Sequence, residues 1–245
     1  MTASITFQIF AKAPVAGRVK TRLVPPLSPS SAARLHARMI EHAAASVRAA
    51  MDCLDNGSVS VRGELWCAID AQSNATLTHP PDIDNPVLTR VARDYRLALR
   101  IQRNGDLGDR MQHALATALP GRVLLLGTDI PSLASSHLVA AAHLLKDNDA
   151  LVIPSDDGGY VLIGCNGRVP GCFDAIPWST PRVIHETRAR LQASGCRWVE
   201  LPALWDVDTV ADLRRLAADP VLARLLDGLE TNEGFPLVFN ETQTV

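Results

Sequence analysis

The stretch that decides the fold lies at the N-terminus: residues 5–11, ITFQIFA, run directly into residues 12–22, KAPVAGRVKTR. The first segment is apolar and uncharged, which predicts a buried β-strand. The second carries four cations, one proline and one glycine, and open α/β sheets place ligands at such strand ends. Cations and free backbone N–H groups suit a polyphosphate. The loop therefore predicts a phosphate site, and a solvated basic loop is the alternative.

This loop differs from the two best-known phosphate loops. Gly17 and Lys20 are not contiguous, so the segment is not a Walker A motif, and it has no G-x-G-x-x-G pattern. The phosphate prediction therefore depends on where the cations lie in the fold.

Composition excludes several classes of protein. The 245 residues fit one large α/β domain or two small ones, and a net charge of −2 gives no global attraction to nucleic acid or anionic membranes. Five cysteines without a C-x-x-C pair predict free thiols rather than a disulfide framework or a zinc site. The chain shows neither a secretion-signal pattern nor an apolar run of membrane-spanning length, so we expect a cytoplasmic protein without membrane insertion.

Helix and strand patterns alternate along the chain. Strands are predicted at 64–69, 97–101, 123–126, 150–154, 160–165 and 197–201, and a loop at 71–86. Helices are predicted at 28–53, 88–95, 106–119, 132–145 (capped by Ser132 or Ser135), 180–193 (capped by Thr180), 209–217 and 220–226. This alternation predicts an α/β fold with a mostly parallel sheet and helices on both faces. We expect a single domain over residues 1–227 and a C-terminal tail over 228–245.

An acid follows the clearest central strand pattern. Residues 123–129 read VLLLGTD, which places Asp129 at the edge of the predicted sheet. A hard divalent cation takes oxygen ligands and often shares them with phosphates, so this acid suits a metal. The alternative is that Asp129 caps the helix after Pro131, because Asp is a common N-cap.

Two more acids, Asp206 and Asp208, alternate within residues 204–209, LWDVDT. If this segment is extended, both side chains point to the same side, and either could be a second metal ligand. The alternative is helix capping by Asp208 or Thr209, with Asp212 favoured in the first turn by the helix dipole.

Two further segments have both a structural and a functional interpretation. Residues 154–160, PSDDGGY, predict a hairpin, because Asp157–Gly158 lies between two strand patterns. Carboxylates and an aromatic ring at such a tip can also grip a hydroxylated substrate. In residues 102–111, QRNGDLGDRM, Asp106 either caps the next helix or lies where free N–H groups meet a ligand.

Taken in order, six motifs resemble a bacterial GT-A-type transferase family. They are FAKAPxxGRVKTRL, QxxGDLGxRM, GTDIPSL, DGGYxLIG, IPWST and DVDTxxDL, spread over roughly residues 5–216. The family is identified with radical-SAM/selenodomain-associated or arsenosugar-biosynthesis glycosyltransferases. It is similar in turn to 2-phospho-L-lactate guanylyltransferase and molybdenum cofactor guanylyltransferase. The resemblance implies a nucleotide-diphospho-sugar transferase fold, a mixed sheet with one antiparallel strand, and a divalent ion, Mg²⁺ or Mn²⁺.

The resemblance also implies roles for individual residues. Nucleotide binding falls on Lys12, Pro14, Gly17, Lys20, Arg22 and Asp106, metal binding on Asp129 and Asp208, and acceptor or sugar binding on Asp157, Gly158, Gly159, Tyr160 and Trp178. Lys20, Asp129 and Asp157 are the expected catalytic residues. The chain departs from related enzymes in two ways: it lacks a G-x-G-x-R loop, and a single acid, Asp129, stands where many glycosyltransferases have D-x-D.

The leading functional hypothesis is metal-dependent glycosyl transfer from a nucleotide-activated sugar to a small acceptor. The alternative reaction is nucleotidyl transfer, in which a phosphorylated small molecule attacks a nucleoside triphosphate and pyrophosphate leaves. A third hypothesis is a nucleotide-binding regulatory protein without turnover. The expected partners are the nucleotide-activated donor and the acceptor, and nucleic acid is not expected.

Overall fold

The structure, a computed structural model, describes residues 4–68 and 84–231. The strands in these residues are β1 (Ser4–Ala11), β2 (Ser60–Cys67), β3 (Ala98–Ile101), β4 (Arg122–Leu126), β5 (Ala150–Pro154), β6 (Tyr160–Asn166) and β7 (Trp198–Glu200). The α-helices are α1 (Pro29–Leu54), α2 (Pro86–Asp94), α3 (Leu107–Thr117), α4 (Ser135–Leu144), α5 (Val183–Ala193) and α6 (Val210–Ala218). Two short 3₁₀ helices, Thr21–Leu23 and Ala223–Leu226, complete the set.

The seven strands form one sheet in the order β3-β2-β1-β4-β6-β5-β7. Among them, β6 runs antiparallel to both of its neighbours, β4 and β5, and the other pairings are parallel. The predicted α/β class and the single antiparallel strand are therefore confirmed. This topology brings the carboxyl ends of β1, β2, β4 and β5 to one edge, together with the start of β6.

Alternation along the strands divides the core between the two faces of the sheet. Ile5, Phe7 and Ile9 of β1 are buried on the face covered by α1, α2 and α4. The other face is covered by α3 and α5, and there Gln8 donates from Nε2 to the carbonyl of Ala114 at 2.7 Å. Helices therefore lie on both faces, as the alternating pattern predicts.

Two predicted helix starts are wrong, and local hydrogen bonds explain both. The N-cap of α4 is Ala134, because the Ser132 hydroxyl donates instead to the carbonyl of Trp205 at 3.1 Å. Helix α5 begins at Val183 rather than at Thr180, whose hydroxyl donates to the carbonyl of Pro177 at 2.7 Å within a turn. The predicted helix at 220–226 is reduced to the 3₁₀ helix Ala223–Leu226.

Three other expectations can be placed on the structure. Most of the loop predicted at 71–86 lies outside the described residues, as does most of the tail predicted at 228–245. Of that tail, Leu229 is buried and Thr231 forms a β-bridge with Leu27, while the domain boundary itself stays a prediction. None of the five cysteines, all of which lie in the described residues, forms a disulfide bond, and Cys67 and Cys165 are buried in the core. In residues 4–68 and 84–231 we find no helix long and apolar enough to cross a membrane.

Candidate functional site

A continuous cleft lies at the sheet edge where the parallel strands end. It consists of two adjoining cavities of about 720 and 520 Å³. Both cavities are bordered by a common set of residues, Phe10, Arg22, Leu107, Gly127, Asp129, Ser179 and Asp208. We call the larger cavity the acidic half of the cleft and the smaller one the basic half, after the charged residues that line them.

Lys20 lies at the centre of this site. Its Nζ is 3.0 Å from Oδ2 of Asp129 and 3.3 Å from Oδ1 of Asp208, and it donates to the carbonyl of Val207 at 2.6 Å. Its side chain is only 3 % exposed. Its backbone has φ 50° and ψ 37°, a left-handed conformation that is unfavourable for a residue with a side chain. The chain therefore accepts local strain where the ammonium group joins two acids that are far apart in sequence.

An extended segment after β7 carries Asp206 and Asp208 into the site. Leu204 pairs in parallel with Ser155 just beyond β5, and the Val207 N–H donates to the carbonyl of Asp129 at 2.9 Å. Val207 is fully buried, whereas Asp206 and Asp208 both line the acidic half. The two acids therefore share one side, as their alternation predicts. The cap of α6 is Thr209, which accepts from the N–H of Asp212, so Asp208 is not the cap.

Asp129 is held by two basic groups and does not cap a helix. Besides Lys20, it meets Nδ1 of His36 at 3.4 Å, and Nε2 of His36 lies 3.2 Å from the carbonyl of Lys12. Burial of Asp129 opposes its ionisation, but Lys20 and His36 outweigh burial and hold the pKa of this carboxyl well below its ordinary value. Asp129 is therefore an anion at neutral pH.

The basic half of the cleft concentrates positive charge. Its lining includes Lys12, Arg18, Lys20, Arg22 and Arg110, whereas its carboxylates are Asp129 and Asp208. Arg22 is 76 % exposed and donates to Oδ2 of Asp208 at 3.0 Å. Arg110 donates to Oε1 of the buried Gln102 at 3.2 Å, which fixes it against the sheet edge. In the lining of this half, positive side chains therefore outnumber negative ones, which suits an anionic ligand.

The acidic half combines carboxylates with an apolar wall. Its acids are Asp129, Asp157, Asp206 and Asp208, and Arg22 is the cation in its lining. Burial, together with the neighbouring carboxylates of Asp157 and Asp208, raises the pKa of Asp206 to about 6. This half of the cleft therefore combines partial burial with several carboxylates.

Tyr160 and Trp178 form the aromatic part of the acidic half. Their ring centroids are 6.4 Å apart in an edge-to-face arrangement. The Trp178 ring packs on α3 at Gly108, where a Cβ atom would come within 2.8 Å of the indole. This contact explains the second glycine of the GDLG motif: it makes room for the aromatic wall.

The predicted hairpin between β5 and β6 is confirmed, and it supports the acidic half. Oδ1 of Asp157 accepts from the Gly159 N–H at 2.9 Å and from the Ser155 hydroxyl. Gly158 has φ +89°, and an added Cβ would come within 2.3 Å of the Pro181 carbonyl oxygen. Its own carbonyl accepts from the N–H of Ile184 at 2.9 Å, which ties the hairpin to the start of α5.

The structure brings together most of the residues that sequence reasoning selected. Of these, Lys12, Lys20, Arg22, Asp129, Asp157, Gly159, Tyr160, Trp178 and Asp208 line the cleft. The cleft walls formed by the described residues do not include Pro14, Gly17, Gly158 or Asp106. The Asp106 carboxylate is the N-cap of α3 and accepts from the N–H of Asp109 at 2.9 Å. Its structural interpretation is therefore correct, while its role in nucleotide binding stays a prediction.

Sequence reasoning did not select several residues of the site. The family resemblance assigns the second metal position to Asp208 alone, although Asp206 alternates with it and lines the same half of the cleft. His36 comes from α1, and nothing in its sequence neighbourhood connects it to Asp129. Arg110 and Gln102 lie within a selected motif, but only the fold shows that they reach the basic half.

Carboxylates suited to a divalent cation converge in this cleft. Asp129 and Asp208 touch the same ammonium group, and Asp206 lines the same cleft, with a pKa that is raised first by burial and then by Asp157 and Asp208. Within residues 4–68 and 84–231, no three side chains of His, Cys, Asp or Glu are arranged to hold an ion by themselves. Mg²⁺ is commonly held by one or two carboxylates plus phosphates and water. The residues present therefore fit an ion that binds together with a nucleotide.

Comparison with protein families gives a match to part of the chain. Residues 65–180 match the profile of DUF2064, described as an uncharacterized protein conserved in bacteria. This region contains Asp129, the hairpin and Trp178, but not Lys20 or Asp208. A search of curated proteins gave no significant match.

Comparison with solved structures supports the fold over most of the chain. A protein of Desulfovibrio desulfuricans G20 described as a "putative nucleotide-diphospho-sugar transferase" is 27 % identical, with a TM-score of 0.72 over 89 % of this chain and 87 % of that one. A nucleotidyl transferase of Methanothermobacter thermautotroptrophicus is 13 % identical, with a TM-score of 0.52 over 91 % and 97 %. The 4-diphosphocytidyl-2C-methyl-D-erythritol synthase of Anaerococcus prevotii DSM 20548 is 11 % identical, with a TM-score of 0.50 over 86 % and 95 %. The chain therefore has the fold of nucleotide-diphospho-sugar and nucleotidyl transferases.

Proposed function

We propose that this protein is a metal-dependent transferase that transfers a sugar from a nucleotide-activated donor to a small acceptor. The observation that carries the proposal is the junction of Lys20 with Asp129 and Asp208 between a basic and an acidic half of one cleft. The likeness to the Desulfovibrio protein over most of both chains supports the transferase class. A narrower assignment, to the arsenosugar or radical-SAM-associated glycosyltransferases, is a prediction that rests on the sequence motifs.

Charge supports a position for the donor diphosphate in the basic half. Lys12, Arg18 and Arg22 line the basic half around Lys20, and together they would balance the negative charge of a diphosphate. Asp129 and Asp208 would hold Mg²⁺ or Mn²⁺, whose chemistry is to neutralise charge that develops on the leaving diphosphate. When phosphates bind, Lys20 and Arg22 can exchange a carboxylate partner for a phosphate oxygen, since both are charged donors at the cleft.

Bond changes in the proposed reaction involve the two substrates. An acceptor hydroxyl oxygen bonds to the anomeric carbon of the donor sugar. The bond from that carbon to the diphosphate oxygen breaks, and the nucleoside diphosphate leaves with the electron pair. The hydroxyl proton passes to a carboxylate of the acidic half, and we propose Asp157 for this role because it lies on the cleft wall at the hairpin tip.

Nucleotidyl transfer is the second candidate reaction. The five lysine and arginine side chains of the basic half also suit a triphosphate. In that reaction a phosphorylated acceptor attacks the α-phosphate, and pyrophosphate leaves. A regulatory protein without turnover is the third candidate, and the retained acids Asp129, Asp157 and Asp208 argue against it.

Product analysis tests the proposal. The full chain is incubated with Mg²⁺ or Mn²⁺, a panel of UDP-, GDP- and other nucleotide sugars, and a panel of small hydroxylated acceptors. We expect release of free nucleoside diphosphate that depends on the acceptor and on the metal. Pyrophosphate release from nucleoside triphosphates would instead establish the second reaction. If neither product forms while nucleotides still bind, the protein is a nucleotide-binding regulator, and the proposed activity is wrong.

A further inference from the structure

The two halves of the cleft have opposite charge, and this contrast restricts the acceptor. Five lysine and arginine side chains face two carboxylates in the basic half, whereas four carboxylates face Arg22 in the acidic half. Arg22 already pairs with Asp208, and Asp208 also touches Lys20. If Asp129 and Asp208 hold the metal, Asp157 and Asp206 still give the acidic half a negative charge, so an anion that is attracted into the basic half is repelled there.

The acidic half is also shaped for a molecule with an apolar part. Leu107, Met111, Leu125, Val161 and Val183 line it together with the Tyr160 and Trp178 rings. Asp157 and Asp206 lie in the same lining and present acceptor oxygens. Hydroxyl or ammonium groups can donate to such carboxylates, and a carbon skeleton can cover the apolar wall.

We infer that the acceptor is a hydroxyl-bearing small molecule that has an apolar portion and carries no phosphate or other negative charge. This inference rests on the proposed function, because it assigns the basic half to the nucleotide donor. A phosphorylated acceptor would bring its negative charge beside Asp157 and Asp206, and like charges in contact are unfavourable. The specificity-determining residues are therefore these two acids, and the apolar wall selects the carbon skeleton.

A set of matched probes tests the inference without requiring turnover. The probes are 2-phenylethanol, 2-phenylethylamine and 2-phenylethyl phosphate, which share one apolar group and differ in charge. Binding to the full chain is measured by saturation-transfer NMR in the presence of Mg²⁺ and GDP or UDP. We expect the alcohol and the amine to bind about tenfold more tightly than the phosphate, or better. Equal or tighter binding of the phosphate, or no binding of any probe, overturns the inference.

A pair of variants identifies the cause of the preference. The double variant Asp157→Asn/Asp206→Asn should narrow the preference for the alcohol over the phosphate by about tenfold. The control is Asp156→Asn, on the same hairpin, where Asp156 pairs with Arg215 at 2.9 Å and does not line the cleft. An unchanged preference in the double variant, or an equal change in the control, contradicts the assignment to Asp157 and Asp206.

Failure of the inference and failure of the proposed function give different results. If a nucleotide with Mg²⁺ raises the melting temperature while the phosphate probe binds most tightly, the proposed nucleotide site is supported and the inference about the acceptor is wrong. If the alcohol is preferred but no nucleotide changes the melting temperature, the acidic half binds as inferred and the proposed function is wrong.

Discussion

At the scale of single residues, Lys20 decides how the site is built. Its ammonium group contacts Asp129 and Asp208, two acids from distant parts of the chain, and so joins them in one site. Its left-handed backbone shows that this placement carries strain. Asp129 depends on Lys20 and His36 for its low pKa. Changes at these positions should therefore affect both ligand binding and stability.

Asp129→Asn tests this expectation. The substitution removes one negative charge from the cleft while keeping the shape of the side chain. The Asp129 carboxylate lies 3.0 Å from the buried Lys20 ammonium group, and Asp208 remains as a second partner of that group, so we expect the free energy of unfolding to fall by about 1.5–3 kcal/mol. Mg²⁺-dependent nucleotide affinity should fall about tenfold or more, because hard cations favour anionic oxygens. Calorimetric titration and thermal unfolding measure the two quantities.

The control for this variant is Asp147→Asn, which changes an exposed aspartate in the turn between α4 and β5. It should leave nucleotide affinity unchanged. Wild-type affinity in Asp129→Asn would contradict the role of Asp129, and a much larger loss of stability would show that the carboxylate is mainly structural.

The raised pKa of Asp206 predicts that the stability of the metal-free protein depends on pH. Its pKa of about 6 in the folded state is above the value of about 3.9 expected in the unfolded chain. The folded state therefore binds a proton on the Asp206 carboxyl more tightly than the unfolded chain does. The stabilisation that this proton gives the folded state is lost as the pH rises from about 4 to about 6. Asp206→Asn should raise the melting temperature relative to wild type more at about pH 7.5 than at about pH 4.5.

The measurement is thermal unfolding in EDTA at both pH values, with Asp156→Asn as the control. The control should shift the melting temperature equally at the two pH values. An equal shift for Asp206→Asn would mean that its carboxylate does not titrate in this range.

At the scale of elements, the hairpin and the start of α5 support each other. Gly158 is the contact point, because its carbonyl accepts from Ile184 and its Cα lies against Pro181. The hairpin could be predicted from sequence because Asp157–Gly158 is a local signal. Its contact with α5 could not, since the hydrogen bond from the Ile184 N–H to the Gly158 carbonyl joins residues that are far apart in sequence.

Gly158→Ala tests this contact. The substitution combines an unfavourable positive φ with a clash against the Pro181 carbonyl. The matched control is Gly167→Ala, which has φ +76° but open space around its Cα. We expect the control to lose about 1 kcal/mol and Gly158→Ala to lose more, as measured by urea unfolding. Equal losses would show that the hairpin moves freely away from α5.

Local signals explain why the central elements were predicted well. The buried pattern of β4 and the cap residues Ser28 and Thr209 are encoded within a few positions of sequence. Helix α4 shows the opposite case, because Ser132 is an ordinary cap candidate until Trp205 takes its hydroxyl. Tertiary hydrogen bonds of this kind have no local signature in the sequence. The observed starts of α4 and α5 therefore differ from the predicted ones, although both helices are present.

At the scale of the whole molecule, the sheet order creates the site. The parallel pairing of β1 with β4 brings the loop after Ala11 beside Asp129, and the segment beyond β7 returns along β5 to place Asp208 there. Motifs in the sequence selected Lys20, Asp129 and Asp208 individually. Their mutual distances, and the separation of the cleft into a basic and an acidic half, required the fold.

The most direct test of the central claim is thermal unfolding of the full chain with nucleotides, with and without Mg²⁺. The account predicts that a nucleoside diphosphate or triphosphate stabilises the protein only when the metal is present. At about 100 times the Kd, this stabilisation should reach about 2.7 kcal/mol, which is easily resolved. Lys20→Met should abolish it. The same stabilisation in EDTA, or none with any nucleotide, would contradict a metal–nucleotide site at Lys20, Asp129 and Asp208.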